Sequence, residues 1–274
     1  MWKNNKKLML GLPYYFWSIA FVILPLFLIV YYGITDKSGV ITAQNILAIG
    51  QPEHIKSLML AIYLSIISTI ICFLLAYPLA MILVKYGKGR SSVLVILFIL
   101  PMWMNFLLRT MAWQTLLENN GVINTLLGLI HLPSIKLINT PGAIIFGMVY
   151  NFLPFMVLPL YNALSKIDPN VVNAARDLGA NPVQTFMKIT LPLSVPGIMS
   201  GITMVFVPAL TTFVISNLLG GAKILLIGNV IEQEFSQTNN WHLGSGLSLV
   251  LMVFIIISMI ISAIFDKDGE GSML

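Results

Sequence analysis

The stretch LMLAIYLSIISTIICFLLAYPLAMILV, residues 58–84, decides the fold class. It contains no Asp, Glu, Lys or Arg, and as an α-helix it would be about 40 Å long, more than the ~30 Å hydrocarbon core of a bilayer. Five further runs are similarly apolar, with Arg109 the one charged residue among them, so the spans read as residues 12–32, 58–84, 93–117, 143–164, 195–215 and 243–265. In lipid each backbone amide and carbonyl must find its partner within the segment, which makes these runs helices. The chain as a whole is 58% hydrophobic and only 9% charged. That is too little charge to cover a water-facing surface, where about a quarter of residues are normally charged. The fold class is therefore all-α integral membrane, with residues 1–274 forming a single transmembrane domain.

Several function classes are excluded by what the chain lacks. Cys72 is the only cysteine, so no internal disulfide or cysteine metal cage is available, and it reads as a small core residue. Neither a H-E-x-x-H pattern nor a G-x-S-x-G elbow occurs, and no catalytic or metal-binding residue is expected. No Asp or Glu falls within a span, which argues against a proton- or sodium-coupled carrier, a class that usually keeps such carboxylates at mid-membrane. The net charge of +5 does not signal nucleic acid, because the charges are sorted by loop. With the N-terminus cytoplasmic, that side carries ten Lys or Arg, from Lys3 to Lys267, and the other carries Lys37, Lys56, Lys136 and Lys223. The bias places both termini in the cytoplasm of a multi-pass plasma-membrane protein. The first span follows Lys3, Lys6 and Lys7 like a signal peptide, but its length and the Tyr31-Tyr32-Gly33 that ends it point to an uncleaved helix.

The loop of residues 165–192, on the cytoplasmic side, carries the most information. Asp168 suits an N-cap, Pro169 the first helical position and Gly179 the left-handed residue after the last turn, which predicts a helix from about Pro169 to Leu178. Val171, Ala175 and Leu178 share one face, while Asn173, Arg176 and Asp177 lie elsewhere. Such a helix has no spanning task; it either joins two spans or docks into a partner.

The spacing after it favours docking. Asn173, Ala174, Ala175, Gly179, Ile189, Leu191 and Pro192 resemble the E-A-A, three residues, G, nine residues, I-x-L-P motif of ABC importer permeases, with Asn173 standing where the family usually has Glu. Pro101 to Arg109, Val149 to Tyr161 and Leu219 to Ile231 resemble the spermidine/putrescine branch of that family. The resemblance implies the type I importer permease fold with six transmembrane helices. It also implies a second permease subunit, a cytoplasmic ATPase dimer that binds ATP and Mg, and an extracytoplasmic polyamine-binding protein. Residues 173–179 with Ile189, Leu191 and Pro192 would then be the ATPase-coupling set. The chain has no G-x-x-x-x-G-K-[ST] loop of its own, and no cofactor is expected in it. Another solute (iron, sulfate, an organic cation) and a secondary transporter are the alternatives.

Candidates for the solute pathway are Trp103, mid-span beside Pro101 and Asn105, together with Tyr150, Asn217, Glu232, Glu234 and Trp241. Carboxylates beside an aromatic ring suit a polycation through charge attraction and cation–π contact, although the two glutamates also fit a solvated loop. Arg109, near the outer end of its span, reads as a snorkelling or paired side chain, or as part of the pathway lining. Pro101, Pro154 and Pro208 are candidate bends.

Overall fold

The computed structural model describes residues 13–86 and 100–271, and among these there is helix but no named strand. The helices are α1 (Pro13–Gly33, containing one wide π stretch), α2 (Gln44–Leu47), α3 (Pro52–Tyr86), α4 (Phe106–Leu117), α5 (Val122–Leu129) and α6 (Pro141–Ser165). They are followed by α7 (Pro169–Asp177), α8 (Pro182–Leu193), α9 (Val195–Thr211), α10 (Val214–Gly220), α11 (Ile227–Ser236) and α12 (Trp241–Gly271). Four of them are long and apolar enough to cross a membrane: α1, α3, α6 and α12. The pair α8 and α9, bent by 64°, passes the same test of length and apolarity only when taken together. The start of the expected third span, residues 93–99, lies outside the described residues, as does most of the basic turn at residues 85–90.

Two of the expected spans are interrupted. The third was read as continuous to Leu117, but Leu100–Trp103 is a 3-10 turn and α4 begins afresh at Phe106. The Asn105 side chain accepts from the amides of Leu107 and Leu108 at 2.9 and 3.3 Å, so it starts a helix instead of continuing one. The fifth was read as residues 195–215, yet α9 stops at Thr211, Thr212 is extended and the chain resumes as α10. Window hydropathy measures only apolarity; it is blind to a break whose polar groups are met locally. In α6, by contrast, the helix runs through Pro154 and Pro159 without interruption.

Contacts divide the chain into two compact units. The first comprises the described residues up to Lys56 with Val230–Phe254. Here Asn45 Nδ2 donates to the Thr35 carbonyl at 2.8 Å, and His242 Nδ1 lies 2.7 Å from the same oxygen. A carbonyl can only accept, so Nδ1 carries the proton. Tyr32 also meets Trp241 and His242 ring to ring, at 6.2 and 5.2 Å. These contacts tie the end of α1 to the start of α12. Most of α1 otherwise presents apolar side chains outward, Phe16, Phe21 and Phe27 among them at 66–73% exposure. Water would penalise such a surface; lipid does not.

The second unit, Ser57–Asn229 with Ile255 onward, contains the main core. Along α6 the residues Ile144, Met148, Phe152, Met156, Leu160 and Leu164 are buried, a stripe at every fourth position that faces its neighbours. α9 crosses α6 at Gly197, where an added Cβ would sit 2.5 Å from Ala163 Cβ and 2.7 Å from the Pro159 carbonyl oxygen. No side chain fits there, which is how the two backbones come this close.

Candidate functional site

The loop that joins α6 to α8 is built from local signals. The Asp168 carboxylate accepts from the Asn170 amide at 2.9 Å, and Pro169 opens α7 where no amide hydrogen is needed. At the other end Leu178 N, Gly179 N and Ala180 N donate to the carbonyls of Ala174, Arg176 and Ala175 at 2.9–3.0 Å. Gly179 sits at φ +86° with nothing near its absent Cβ. Three sharply local features thus fix where this helix begins and ends. Immediately afterwards Asn181 and Gln184 form a capping box for α8. α8 then holds a π stretch at Phe186–Thr190, which contains Ile189; Leu191 and Pro192 form its last turn before the bend at Ser194. The Tyr77 hydroxyl meets Ser194 Oγ at 2.8 Å, pinning that bend to α3.

α7 presents two distinct faces. Val171 and Leu178 stand out from the surface, Leu178 at 89% exposure, with Ala175 half-buried between them. This is the apolar face expected for docking. Asn173 and Arg176 belong instead to the opposite side, where with Pro169 and Val172 they line a groove against the ends of α3 and α6. An apolar exposed face on a short, well-capped helix is unusual unless something covers it. Replacing Gly179 by valine is expected to cost about 1–2 kcal/mol at the helix terminus, because a β-branched residue is disfavoured at positive φ. The protein should still insert into membranes, while its partner-dependent activity should fall at least severalfold.

The expected pathway residues are not gathered into one place by any hydrogen bond or ring contact among the described residues. In the second unit Trp103 projects at 83% exposure, and Asn105 is committed to capping α4. Tyr150 belongs to an aromatic cluster, with Trp113 at 5.2 Å and Phe146 at 6.4 Å. Asn217 Oδ1 accepts from Asn229 Nδ2 at 2.6 Å. In the first unit Glu232 and Glu234 accept from Ser236 and Thr238 at 2.7 and 2.8 Å, one turn along the chain. Trp241 packs edge-on to Phe235 at 5.4 Å. Both glutamates lie on a helix, α11, where a loop was expected.

Two polar features were missed by sequence reasoning. Asn229 is fully buried and uses every hydrogen-bonding site it has. Its Oδ1 accepts from Ser216 Oγ at 2.6 Å and from the Leu226 amide at 2.9 Å; its Nδ2 donates to the Phe213 carbonyl at 3.1 Å and to Asn217. This one side chain stabilises the break between α9 and α10. An Asn two residues after the Leu225-Leu226-Ile227 run is the only signal the sequence offered. Arg109, expected as a snorkelling or paired side chain or as part of the pathway lining, is 8% exposed, and its Nε has no partner among the described residues. Near it Asn151, which donates to Thr110 Oγ1 at 3.5 Å, leaves its Oδ1 unpaired.

Residues 5–268 match the profile of the binding-protein-dependent transport system inner membrane component. The chain belongs to that family. It is a multi-pass membrane permease, a transport subunit of the ABC importer class. Among curated relatives, this permease is 39% identical over 260 residues to the spermidine/putrescine transport system permease protein PotB of Haemophilus influenzae, covering 91% of each chain. Its fold is that of a permease in the crystal structure of a bacterial ABC transporter involved in the import of the acidic polysaccharide alginate, with a TM-score of 0.78 at 20% identity over 96% of this chain and 98% of that one. The alginate transporter in complex with its alginate pentasaccharide-bound periplasmic protein gives 0.77 at 18% identity, over 96% of this chain and 95% of that one. The type I importer permease fold implied by the sequence resemblance is the fold observed.

Proposed function

We propose that this permease forms half of the translocation pathway of an ATP-driven polyamine importer. The observation that carries the substrate class is the 39% identity, over nine-tenths of both chains, to a spermidine/putrescine permease. The other half would come from a second, related permease, and the polyamine from an extracytoplasmic binding protein. ATP and Mg would be bound by an ATPase dimer on the cytoplasmic side, where both termini of this chain also lie. The α7 helix, with its exposed Val171 and Leu178, docks into that ATPase, and Asn173 to Gly179 with Ile189, Leu191 and Pro192 transmit its closure to the spans. Val171 and Leu178 give that contact its apolar part, and Arg176 and Asp177 are the charged members of the coupling set. Solute affinity within the membrane is weak, because alternating access needs a site that two conformations bind differently.

Specificity and energy source are tested together. Uptake of labelled spermidine into cells carrying the complete transporter should be competed by putrescine and other polyamines but not by iron, sulfate or simple organic cations. It should also stop on ATP depletion with the ion gradient held. Competition by one of the other solutes would assign a different substrate; uptake surviving ATP depletion would indicate a secondary transporter.

A further inference from the structure

In the first unit a groove of about 440 Å³ lies between α1 and the joint of α11 with α12. Leu28 and Ile29 of α1 form an apolar wall, and Tyr32, Phe235 and Trp241 add three aromatic rings. The rings hold one another in place. Trp241 meets Phe235 at 5.4 Å with the planes 73° apart, and Tyr32 at 6.2 Å and 50°. Phe235 in turn lies over Gly244, where an added Cβ would fall 3.1 Å from two atoms of its ring.

Two polar features set this groove apart from a merely lipid-facing cleft. Ser245, which lines it, is 1% exposed, and its Oγ has no hydrogen-bond partner among the described residues. An enclosed hydroxyl left unmet is a cost that the N–H of a ligand removes. Ser236 also lines the groove, and its hydroxyl donates to Glu232 Oε1 at 2.7 Å, tying that carboxylate to the groove wall. No Lys or Arg is among the described lining residues. Aromatic rings around an apolar slot, a carboxylate beside it and a buried acceptor within it match an alkylammonium ion. The rings attract the cation through their negative faces, the carboxylate supplies the counter-charge, and the methylene stem lies along Leu28 and Ile29. An acyl chain would use the apolar wall alone and leave the hydroxyl unmet.

We propose that this groove binds one alkylammonium group, caged by Trp241 and Tyr32, with Ser245 Oγ accepting an N–H and Glu232 as counter-ion. That the ion is the end of a polyamine rests on the function proposed above. With both termini cytoplasmic, the end of α1 and the start of α12 lie at the outer face, the side from which the solute is delivered.

The test uses the whole transporter with its ATPase, in lipid nanodiscs without the binding protein, and equilibrium dialysis of labelled spermidine and labelled butylammonium. Trp241→Leu and Glu232→Gln should each weaken binding of both about fivefold. Trp241→Phe, which keeps an aromatic face, should recover part of the loss. Ser245→Ala should weaken binding about threefold and melt at the parent's temperature, since the hydroxyl it removes has no partner in the fold. Glu53→Gln, an exposed carboxylate of the same unit outside the groove, should change nothing. Unlabelled butylammonium should displace the label, whereas 1-butanol, the same chain without the charge, should not. Displacement by 1-butanol, or parental affinity in Trp241→Leu and Ser245→Ala, overturns the proposal. If Trp241→Leu fails to assemble, Ser245→Ala and Glu232→Gln decide. Spermidine uptake by the parent transporter is measured alongside. If the parent imports no polyamine the proposed function fails, and the groove stands or falls on butylammonium; if it imports spermidine and the groove variants bind as the parent does, only the groove assignment fails.

Discussion

Asn229→Leu should be among the most damaging single substitutions in the second unit. It removes both acceptor and donor from the break between α9 and α10, leaving the Leu226 amide and Asn217 Oδ1 without the partner they now share. Ser216 Oγ can still donate to the Phe213 carbonyl, which also keeps the Asn217 amide, so the cost falls mainly on the other two groups. At about 1–3 kcal/mol for a buried group left unmet, and less for the part-buried Asn217, the loss comes to roughly 2–4 kcal/mol. Purified in detergent, the variant should melt roughly 10 °C lower and be recovered in small yield. Asn229→Asp keeps the acceptors and loses the donors, placing a carboxylate against two oxygens, so it should fail as well. A melting temperature within a degree or two of the parent for Asn229→Leu would show that the network contributes little.

The second large effect is expected at Gly197→Val. The first added carbon already falls within 2.5 Å of Ala163 Cβ and 2.7 Å of the Pro159 carbonyl oxygen, and the latter is backbone. A rotamer change cannot relieve that clash, so α9 must move away from α6. Overpacking of this kind costs typically 1–3 kcal/mol, and more where the neighbour is main chain. The functional consequence should exceed the stability loss, because α6 and α9 flank the segment that carries α7. Spermidine uptake should fall by at least tenfold in a protein that still reaches the membrane. Gly197→Ala combined with Ala163→Gly should be tolerated better than Gly197→Ala alone, since it removes one of the two clashes. Equal uptake for Gly197→Val and the parent, at matched membrane levels, would mean that the close approach is unimportant.

How much of this was legible in the sequence depended on the range of the interactions. The ends of α7 were readable because Asp168, Pro169 and Gly179 each act on backbone within a few residues of themselves. The spans were readable because lipid imposes one composition along the whole length of a helix. The breaks were not. At Asn105 a side chain competes with the helix through two amides, and at Thr212 the decisive partner, Asn229, comes from more than ten residues away. Neither event alters mean hydropathy. The fate of Arg109 was hidden for a similar reason: its distance along the span fitted snorkelling, but burial depends on which neighbours pack around it. The sidedness of α7 was half legible. Helical periodicity separated Val171 and Leu178 from Asn173 and Arg176, but it could not say which group faced the chain's own groove.

The coupling reading stands on α7 being a cytoplasmic surface that the ATPase covers. The most direct measurement is a crosslink from Leu178→Cys, the most exposed apolar position on that helix, to single cysteines placed in the surface cleft of the partner ATPase. Cys72 is buried, so the introduced thiol is the accessible one. The account predicts a crosslinked product in membranes, whose yield changes when nucleotide is added and which blocks uptake until the bond is reduced. Labelling of the same position only from the outer face, or full uptake with the crosslink in place, would contradict it.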